Sequence, residues 1–205
     1  MAQAKTLTKE DMTRVLDYIN TRRFAPRNRA MMLLTHADVG QNGSQHGHPR
    51  WIFANNDPAA HYPAAALGLG ASIVTNGRQI KADDFFLGMF ETALRTNEII
   101  TSVIFPVPTR SAYAKFKHPA SRYATVGVFV ADFNGVVRVA VTGAALVVFR
   151  VAELEKVLSQ RFSSKSIAAI KVDESALNSD LNADAAYRSH LITRMAMQAV
   201  DSLQT

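Results

Sequence analysis

Apolar and polar positions follow the clearest pattern in the C-terminal half of the chain. Three stretches rich in β-branched residues predict strands: AYAKFKHP (Ala112–Pro119), ATVGVFVADF (Ala124–Phe133) and VVRVAVTGAALVVFR (Val136–Arg150). Asn134-Gly135, between the last two, is typical of a tight hairpin. Helical stretches are predicted after them, at Val151–Phe162, Ser163–Ile170 and Ala183–Ser202, the last beginning near Asp184. The pattern predicts a three-stranded antiparallel sheet covered by helices, an α+β unit over residues 108–205.

Helix and strand signals alternate in the middle segment, residues 54–107. Asp57 is a suitable N-cap, so a helix is predicted from there to the glycines Gly68 and Gly70. A short apolar strand is predicted at Ala71–Val74, and a β-branched strand that prolines terminate at Glu98–Pro108. This segment therefore predicts a second, mixed unit before the C-terminal one.

The N-terminal head, residues 1–37, has a helical pattern and a basic charge. One apolar face is formed by Met12, Val15, Leu16 and Ile19, and RNRAMMLLTHA (Arg27–Ala37) predicts a second helix. The head resembles the entry to the catalytic domain of tyrosine recombinases (phage-type integrases), although it includes none of that family's catalytic residues. A helical hairpin with a solvated basic face is the simpler interpretation, and DNA binding is the alternative. Residues 38–53 show neither helical nor strand periodicity and are interpreted as an irregular junction.

Composition and charge narrow the classes of function. The 205 residues are 48% hydrophobic, which is enough for a packed core. The formal charge is +6, of which the head contributes +4 through seven basic and three acidic residues, so nucleic acid is not the expected partner of the body of the chain. The absence of cysteine excludes disulfides, thiolate zinc sites and a cysteine-ligated iron–sulfur cluster in this chain. No membrane span, secretory signal or metal cluster is visible, and a cytoplasmic location is expected.

Four ordered motifs carry a resemblance to a known family: ANNDPAAHYPAA, ADDFFLGMFETALRTNEIITSVIFPVP, AYAKFKHPASRYATVGVFVA and LNSDLNADAAYRSHLI. From about residue 54 to 200 the chain resembles the FAD-binding medium subunit of aerobic carbon monoxide dehydrogenases and of the xanthine dehydrogenase (molybdenum hydroxylase) family. The resemblance implies part of an FAD-binding domain at 54–107 and the family's C-terminal domain at 108–205. It also implies partners, an iron–sulfur small subunit and a molybdopterin large subunit, and a role in electron transfer between them and FAD.

The resemblance implies cofactor contacts at four positions. Lys115 matches the lysine of the family's Y-x-K strand, which lies by the flavin, and Tyr123 matches an aromatic residue that covers the isoalloxazine ring. Leu94 matches an apolar contact to the cofactor. Asp57 matches the first acid of the family's DPAAD motif, and a role as helix cap alone is the alternative for it. Taken without the resemblance, Lys115 and Tyr123 are an ordinary surface lysine and a loop tyrosine.

The chain departs from the family where the FAD diphosphate binds. The family uses two glycine-rich loops there, because close approach of phosphate requires residues without a Cβ atom. The head replaces the first loop, and GHPRWIF (Gly47–Phe53) occupies the place of the second. We therefore expect a truncated, fused flavoprotein subunit with weakened FAD binding, and whether it is active as an enzyme is left open. The alternatives are a DNA-binding, recombinase-derived fragment and an inactive fragment that only docks partner subunits.

Overall fold

The computed structural model describes residues 61–96, 98–119 and 123–204. These residues form four α-helices, one of which is a single turn, and nine strands in three antiparallel sheets. The helices are α1 (His61–Leu69), α2 (Ala152–Gln160), α3 (Ser164–Ile167, a single turn) and α4 (Ala185–Asp201). The strands are β1 (Ser72–Thr75), β2 (Gln79–Lys81), β3 (Phe86–Gly88), β4 (Glu91–Thr92), β5 (Ile100–Ile104), β6 (Arg110–Lys117), β7 (Ala124–Phe133), β8 (Val136–Thr142) and β9 (Phe149–Arg150).

The largest sheet has the strand order β6-β7-β8-β9, and both of its faces are covered. Along β7 the side chains alternate between two clusters, because successive residues of a strand point to opposite faces. Val126, Val128 and Val130 pack with α2, α3 and α4 on one face. Phe129 and Ala131 pack with α1 and the segment that follows it on the other face. The sheet is thus the middle layer of the described structure.

The approach of α1 to the sheet depends on a glycine inside the helix. A Cβ atom at Gly68 would lie 2.5 Å from Cδ1 of Phe129, whose ring is buried on this face of β7. Gly68 therefore lets the helix backbone lie directly against the ring. The helix continues to Leu69, and Gly70 follows in the left-handed conformation with φ +63°. That conformation ends the helix at little steric cost, since glycine has no Cβ atom.

An ionic network joins the α1 side of the sheet to the α2 side. Arg138 of β8 donates to the main-chain oxygen of Leu67 at 2.7 Å and to Asp83 at 2.9 Å. Arg150 of β9 donates to the same Asp83 at 3.0 Å and to Glu155 of α2 at 2.6 Å. Burial opposes ionisation of Asp83, but the hydrogen bonds from the two arginines outweigh it and lower the pKa of this carboxyl.

A buried arginine holds the start of α4 against the ends of the central strands. Arg188 donates to the main-chain oxygens of Thr125 (2.7 Å) and Gly143 (3.0 Å), and to the carboxylate of Asp180 at 2.5 Å. Its side chain is 6% exposed, so these acceptors replace the water that its charge would otherwise bind. The helix begins next to Asp184, as predicted, and Asp184 caps it by accepting from the backbone N–H of Tyr187 at 2.7 Å.

A buried carboxylate, Glu98, links the strands of the small sheet β2-β1-β5 through hydrogen bonds. Glu98, with 7% of its side chain exposed, accepts from the guanidinium of Arg78 and from the hydroxyl of Thr75, both at 2.8 Å. It also accepts from the backbone N–H of Arg95 at 2.8 Å. The hydrogen bond from Arg78 is the main reason that the pKa of Glu98 is lowered to about 2.

Several details differ from the sequence-based expectations. The stretch Val136–Arg150 was expected to be one strand, but it folds back on itself as β8 and β9, with Ala140 opposite Arg150. Gly143 reverses the chain with φ +81°, a conformation that alternating hydrophobicity does not reveal. The sheet therefore has four strands rather than three. The Asn134-Gly135 hairpin is confirmed, with φ values of +54° and +94°. The predicted boundary between residues 107 and 108 stays a prediction.

We predict that Gly68→Ala destabilises the full chain by about 1–2 kcal/mol. Overpacking against Phe129 costs about 1–3 kcal/mol, and the better helix propensity of alanine offsets about 0.5–1 kcal/mol of this. Urea unfolding measures the difference. Gly77→Ala is the matched control, because a Cβ atom there meets nothing within 4 Å. Equal stability of the two variants would contradict the described packing of α1.

We also predict that Glu98 makes stability depend on acidity. Its pKa is lowered from 4.5 to about 2, so its contribution to stability is complete above pH 4.5 and is lost as the pH falls towards 2. Glu98→Gln should therefore unfold at a lower temperature than the wild type at pH 7, and this difference should shrink as the pH approaches 2. Thermal unfolding followed by circular dichroism from pH 7 to pH 2 checks this. A difference that stays constant across the range would rule out the proposed ionised hydrogen bonds.

Candidate functional site

Lys115 lies on the face of the large sheet that is directed towards α1. It is opposite Gly127 in the register of β6 and β7, two residues after Tyr113, which is opposite Phe129. Because side chains two apart on a strand share a face, Lys115 and Tyr113 point to the same side. Lys115 is half-buried. The neighbouring Phe116 is directed to the opposite face, where its ring lies edge-on to that of Tyr187, with the ring centroids 6.1 Å apart.

Leu94 approaches the same side of the sheet from the chain segment after β4. It is half-buried and packs against the hydrophobic cluster that contains Phe129 and that Tyr113 also borders. Its neighbours fix its position: the N–H of Ala93 donates to Phe85 at 2.9 Å, and Arg78 donates to the carbonyl of Ala93 at 2.5 Å. Leu94 and Lys115 are thus held at one side of the sheet by separate elements.

Tyr123 lies at the end of the β6–β7 hairpin where Lys115 is located. Its carbonyl accepts from the N–H of His118 at 2.8 Å, and Lys117 is opposite Ala124 in the register. The side chain of Tyr123 is 55% exposed, so its ring is accessible from solvent. Tyr123 is thus an accessible aromatic residue at the end of the β6–β7 hairpin that contains Lys115. Asp57, the fourth predicted contact, and the loop at Gly47–Phe53 lie outside the described residues.

Tyr113 is a residue of this site that the sequence analysis did not select. Its hydroxyl is buried above Gly127, in the space that a Cβ atom at residue 127 would occupy. Burial raises the pKa of Tyr113 well above its usual range, so the phenol stays neutral beside Lys115. The available signal was the single glycine within the strand ATVGVFVADF, since glycine in a strand indicates the close approach of another group.

The cavities beside the described elements include a smaller and a larger one. The smaller, of about 190 Å³, is lined by Asn76, Gly77, Arg78, Arg95, Thr96 and Glu98. The larger, of about 900 Å³, lies between β9, the start of α2 and residues 172–179, and contains none of the predicted contacts. Within the described ranges, no group of three or more His, Asp or Glu side chains could hold a metal ion. None of the helices described is both long and apolar enough to cross a membrane.

The chain was compared with known protein families and proteins. The family described as "FAD binding domain in molybdopterin dehydrogenase" matches residues 22–108. The nicotine 6-hydroxylase medium subunit of Paenarthrobacter nicotinovorans is 30% identical over 181 residues, which cover 82% of this chain and 62% of that protein. The carbon monoxide dehydrogenase medium chain of Hydrogenophaga pseudoflava is 30% identical over 175 residues, 77% of this chain and 57% of that protein. The chain thus spans about three fifths of the length of these relatives.

Solved structures agree on the fold. The reconstituted CO dehydrogenase from Oligotropha carboxidovorans superposes with a TM-score of 0.66 at 24% identity, covering 94% of this chain and 72% of that chain. Quinoline 2-oxidoreductase from Pseudomonas putida 86 superposes with a TM-score of 0.64 at 17% identity, covering 91% of this chain and 71% of that chain. At these identities the likeness establishes the fold alone.

The family match also bears on the N-terminal part of the sequence. It begins at residue 22, inside the head that resembles a recombinase, and continues through the junction at 38–53 into the middle segment. These matches give no support to the recombinase resemblance or to the DNA-binding alternative. The match of residues 22–108 and the medium subunits found among the relatives lead to one conclusion: residues 22–108 match the FAD-binding domain found in molybdopterin dehydrogenases, and the chain is similar over most of its length to medium subunits of molybdenum hydroxylases.

Proposed function

We propose that this chain binds FAD and transfers electrons through it within a molybdenum hydroxylase complex. The observation that carries the proposal is the family match over residues 22–108, joined by the placement of Lys115 and Leu94 at one side of the large sheet. The flavin supplies one- and two-electron chemistry when it is bound. The residues of this chain bind and orient it and set its electrostatic surroundings.

The described residues fit the isoalloxazine end of FAD. A half-buried ammonium at Lys115 favours the anionic, reduced form of a flavin, because partial burial weakens screening by water. The exposed ring of Tyr123 is available to stack on the isoalloxazine. Leu94 provides an apolar contact and excludes water from one side. Tyr113 fills the space over Gly127, which is opposite Lys115 in the register of β6 and β7.

The proposal extends to partners because the relatives are named medium subunits or medium chains. We propose that an iron–sulfur small subunit and a molybdopterin large subunit complete the complex, and that the substrate is bound by a partner rather than by this chain. We also propose that the chain is located in the cytoplasm, as expected from the sequence.

The first prediction for this function concerns Lys115. In Lys115→Met, FAD affinity should fall about tenfold, the size of one lost charge-assisted interaction. The midpoint potential of bound flavin should also fall, by about 30 mV for each tenfold loss of preference for the two-electron reduced form. FAD titration followed by flavin fluorescence, and redox titration of the bound flavin, measure the two effects.

Lys171→Met is the control for charge and length, because Lys171 is an exposed lysine on the connection between α3 and α4. It should change neither affinity nor potential. An unchanged potential in Lys115→Met would contradict the role given to Lys115. Failure of the wild-type chain to bind FAD even at millimolar concentration would overturn the proposed function itself.

The second prediction concerns the strength of FAD binding. Since the family's glycine-rich phosphate loops are not recognisable in residues 1–53, several backbone donors to the diphosphate are expected to be missing. Each charge-assisted hydrogen bond is worth about 1.5–3 kcal/mol, so affinity should be lower by orders of magnitude than if both loops were present. The wild-type chain should purify colourless and bind added FAD weakly. Purification of yellow protein with one FAD per chain would show that the affinity is intact.

A further inference from the structure

The larger cavity, of about 900 Å³, lies beside β9 and the start of α2, and none of Lys115, Tyr123 and Leu94 lines it. Its volume is within the range of small-molecule sites, about 300–1,000 Å³. Its lining is mainly apolar with a few polar groups, a composition that is typical of a site for a small organic molecule. The charged groups of the lining therefore indicate which chemical class of molecule the cavity suits.

The walls of this cavity are fixed by main-chain contacts. The N–H of Asn178 donates to the carbonyl oxygen of Ala144 at 2.8 Å, and Ala145 is paired with Leu177 in an antiparallel bridge. These contacts hold the segment 172–179 against the loop that follows β8. Because the walls are connected in this way, the cavity is preformed, and little binding energy is lost in ordering the chain around a ligand.

The positive charge in the lining is already matched. Arg150, Glu153 and Asp173 are the charged residues that line the cavity. Arg150 donates to Asp83 at 3.0 Å and to Glu155 at 2.6 Å, so its guanidinium is held by two carboxylates. The uncompensated charge of the lining therefore belongs to its two acids.

These two acids make the cavity electronegative. Glu153 is exposed, and among the described residues its carboxylate has no ion-pair partner. Asp173 accepts from the hydroxyl of Ser175 at 2.6 Å and from its N–H at 3.1 Å, and these bonds lower the pKa of Asp173 and keep it ionised. The N-terminus of α2 contributes a partial positive charge of about +0.5, which is smaller than the two negative charges. The complementary charge on a ligand is therefore positive.

We propose that this cavity binds a small hydrophobic organic cation, an ammonium group carried on an aromatic or aliphatic body. The apolar lining receives the body, and Glu153 and Asp173, at the exposed edge, attract the ammonium group. Phe149, the aromatic residue of the lining, adds the attraction of an aromatic ring for a cation. This site is separate from the proposed flavin contacts, so the inference does not depend on FAD.

Two probes with the same skeleton test the choice of charge. 4-Phenylbutylammonium should bind the full chain with a Kd of about 1 mM, a strength common for so small a ligand. 4-Phenylbutanoate, which carries a carboxylate instead, should bind at least about tenfold more weakly. The chain as a whole has a formal charge of +6, which favours the anion, so a preference for the cation must come from the site. Titration without FAD, followed by NMR of the probe, measures both affinities. Equal affinities, or no binding of the cation at about 10 mM, would overturn the proposal.

Glu153→Gln removes one charge and keeps the shape of the lining, and it should weaken binding of 4-phenylbutylammonium about twofold to fivefold, the effect of one exposed charge pair. Glu174→Gln is the matched control, because Glu174 is an exposed acid next to Asp173 that does not line the cavity. Its affinity for the probe should equal that of the wild type. An equal loss in the two variants would assign the effect to the general charge of the chain and contradict the site.

Ala176→Trp tests the location. Ala176 is an exposed residue of the lining, so an indole ring there fills the cavity from its edge and should abolish binding. The unfolding temperature should stay that of the wild type, since the replaced methyl group faces solvent. Undiminished binding of 4-phenylbutylammonium by this variant would place the probe elsewhere and overturn the inference. If the variant unfolds at a lower temperature, the comparison of Glu153→Gln with Glu174→Gln decides.

Discussion

Burial of the large sheet on both faces is the constraint on which the rest of the described structure depends. β7 is buried along nearly its whole length, and its alternating residues belong to two different hydrophobic clusters. Nearly every residue of that strand must therefore suit a partner, which explains the small residues Gly127 and Ala131 on the side facing α1. The helices α2, α3 and α4 cover one face, and α1 with the small sheet covers the other. The proposed site depends on this arrangement, because Leu94 joins the cluster on the α1 side of the sheet, the side that Lys115 faces, only if the middle segment packs there.

Charged groups link these layers more specifically than the apolar contacts do. Asp83 is shared between Arg138 and Arg150, and Arg188 joins α4 to the ends of β7 and β8. Partly buried ion pairs contribute modestly to net stability, but loss of one partner leaves a costly unpaired charge. They therefore favour one relative position of the helices and the sheet. The same logic applies to Glu98 and Arg78, which hold the segment that leads to Leu94.

Much of the fold could be predicted from the sequence where a local signal and the tertiary structure agree. The Asn134-Gly135 turn and the start of the last helix near Asp184 are examples, because turns and helix starts depend on a few neighbouring residues. The reversal at Gly143 was not predicted, because its flanking residues are apolar on both sides and resemble one long strand. The hairpin at 86–92 has strands of three and two residues, too short for a periodic pattern. For the site, Lys115, Tyr123 and Leu94 came from family resemblance, whereas Tyr113 required the three-dimensional approach of its hydroxyl to Gly127.

We propose above all that the side of the sheet bearing Lys115 and Leu94 faces the isoalloxazine ring of FAD. An experimental structure of the full chain crystallised with saturating FAD measures this directly, through the distance from Lys115 Nζ to the nearest flavin ring atom. The account predicts a distance of about 3–4 Å, within direct polar contact, with Leu94 against the ring. A flavin ring bound more than about 8 Å from Lys115, beyond direct charge contact, would contradict it.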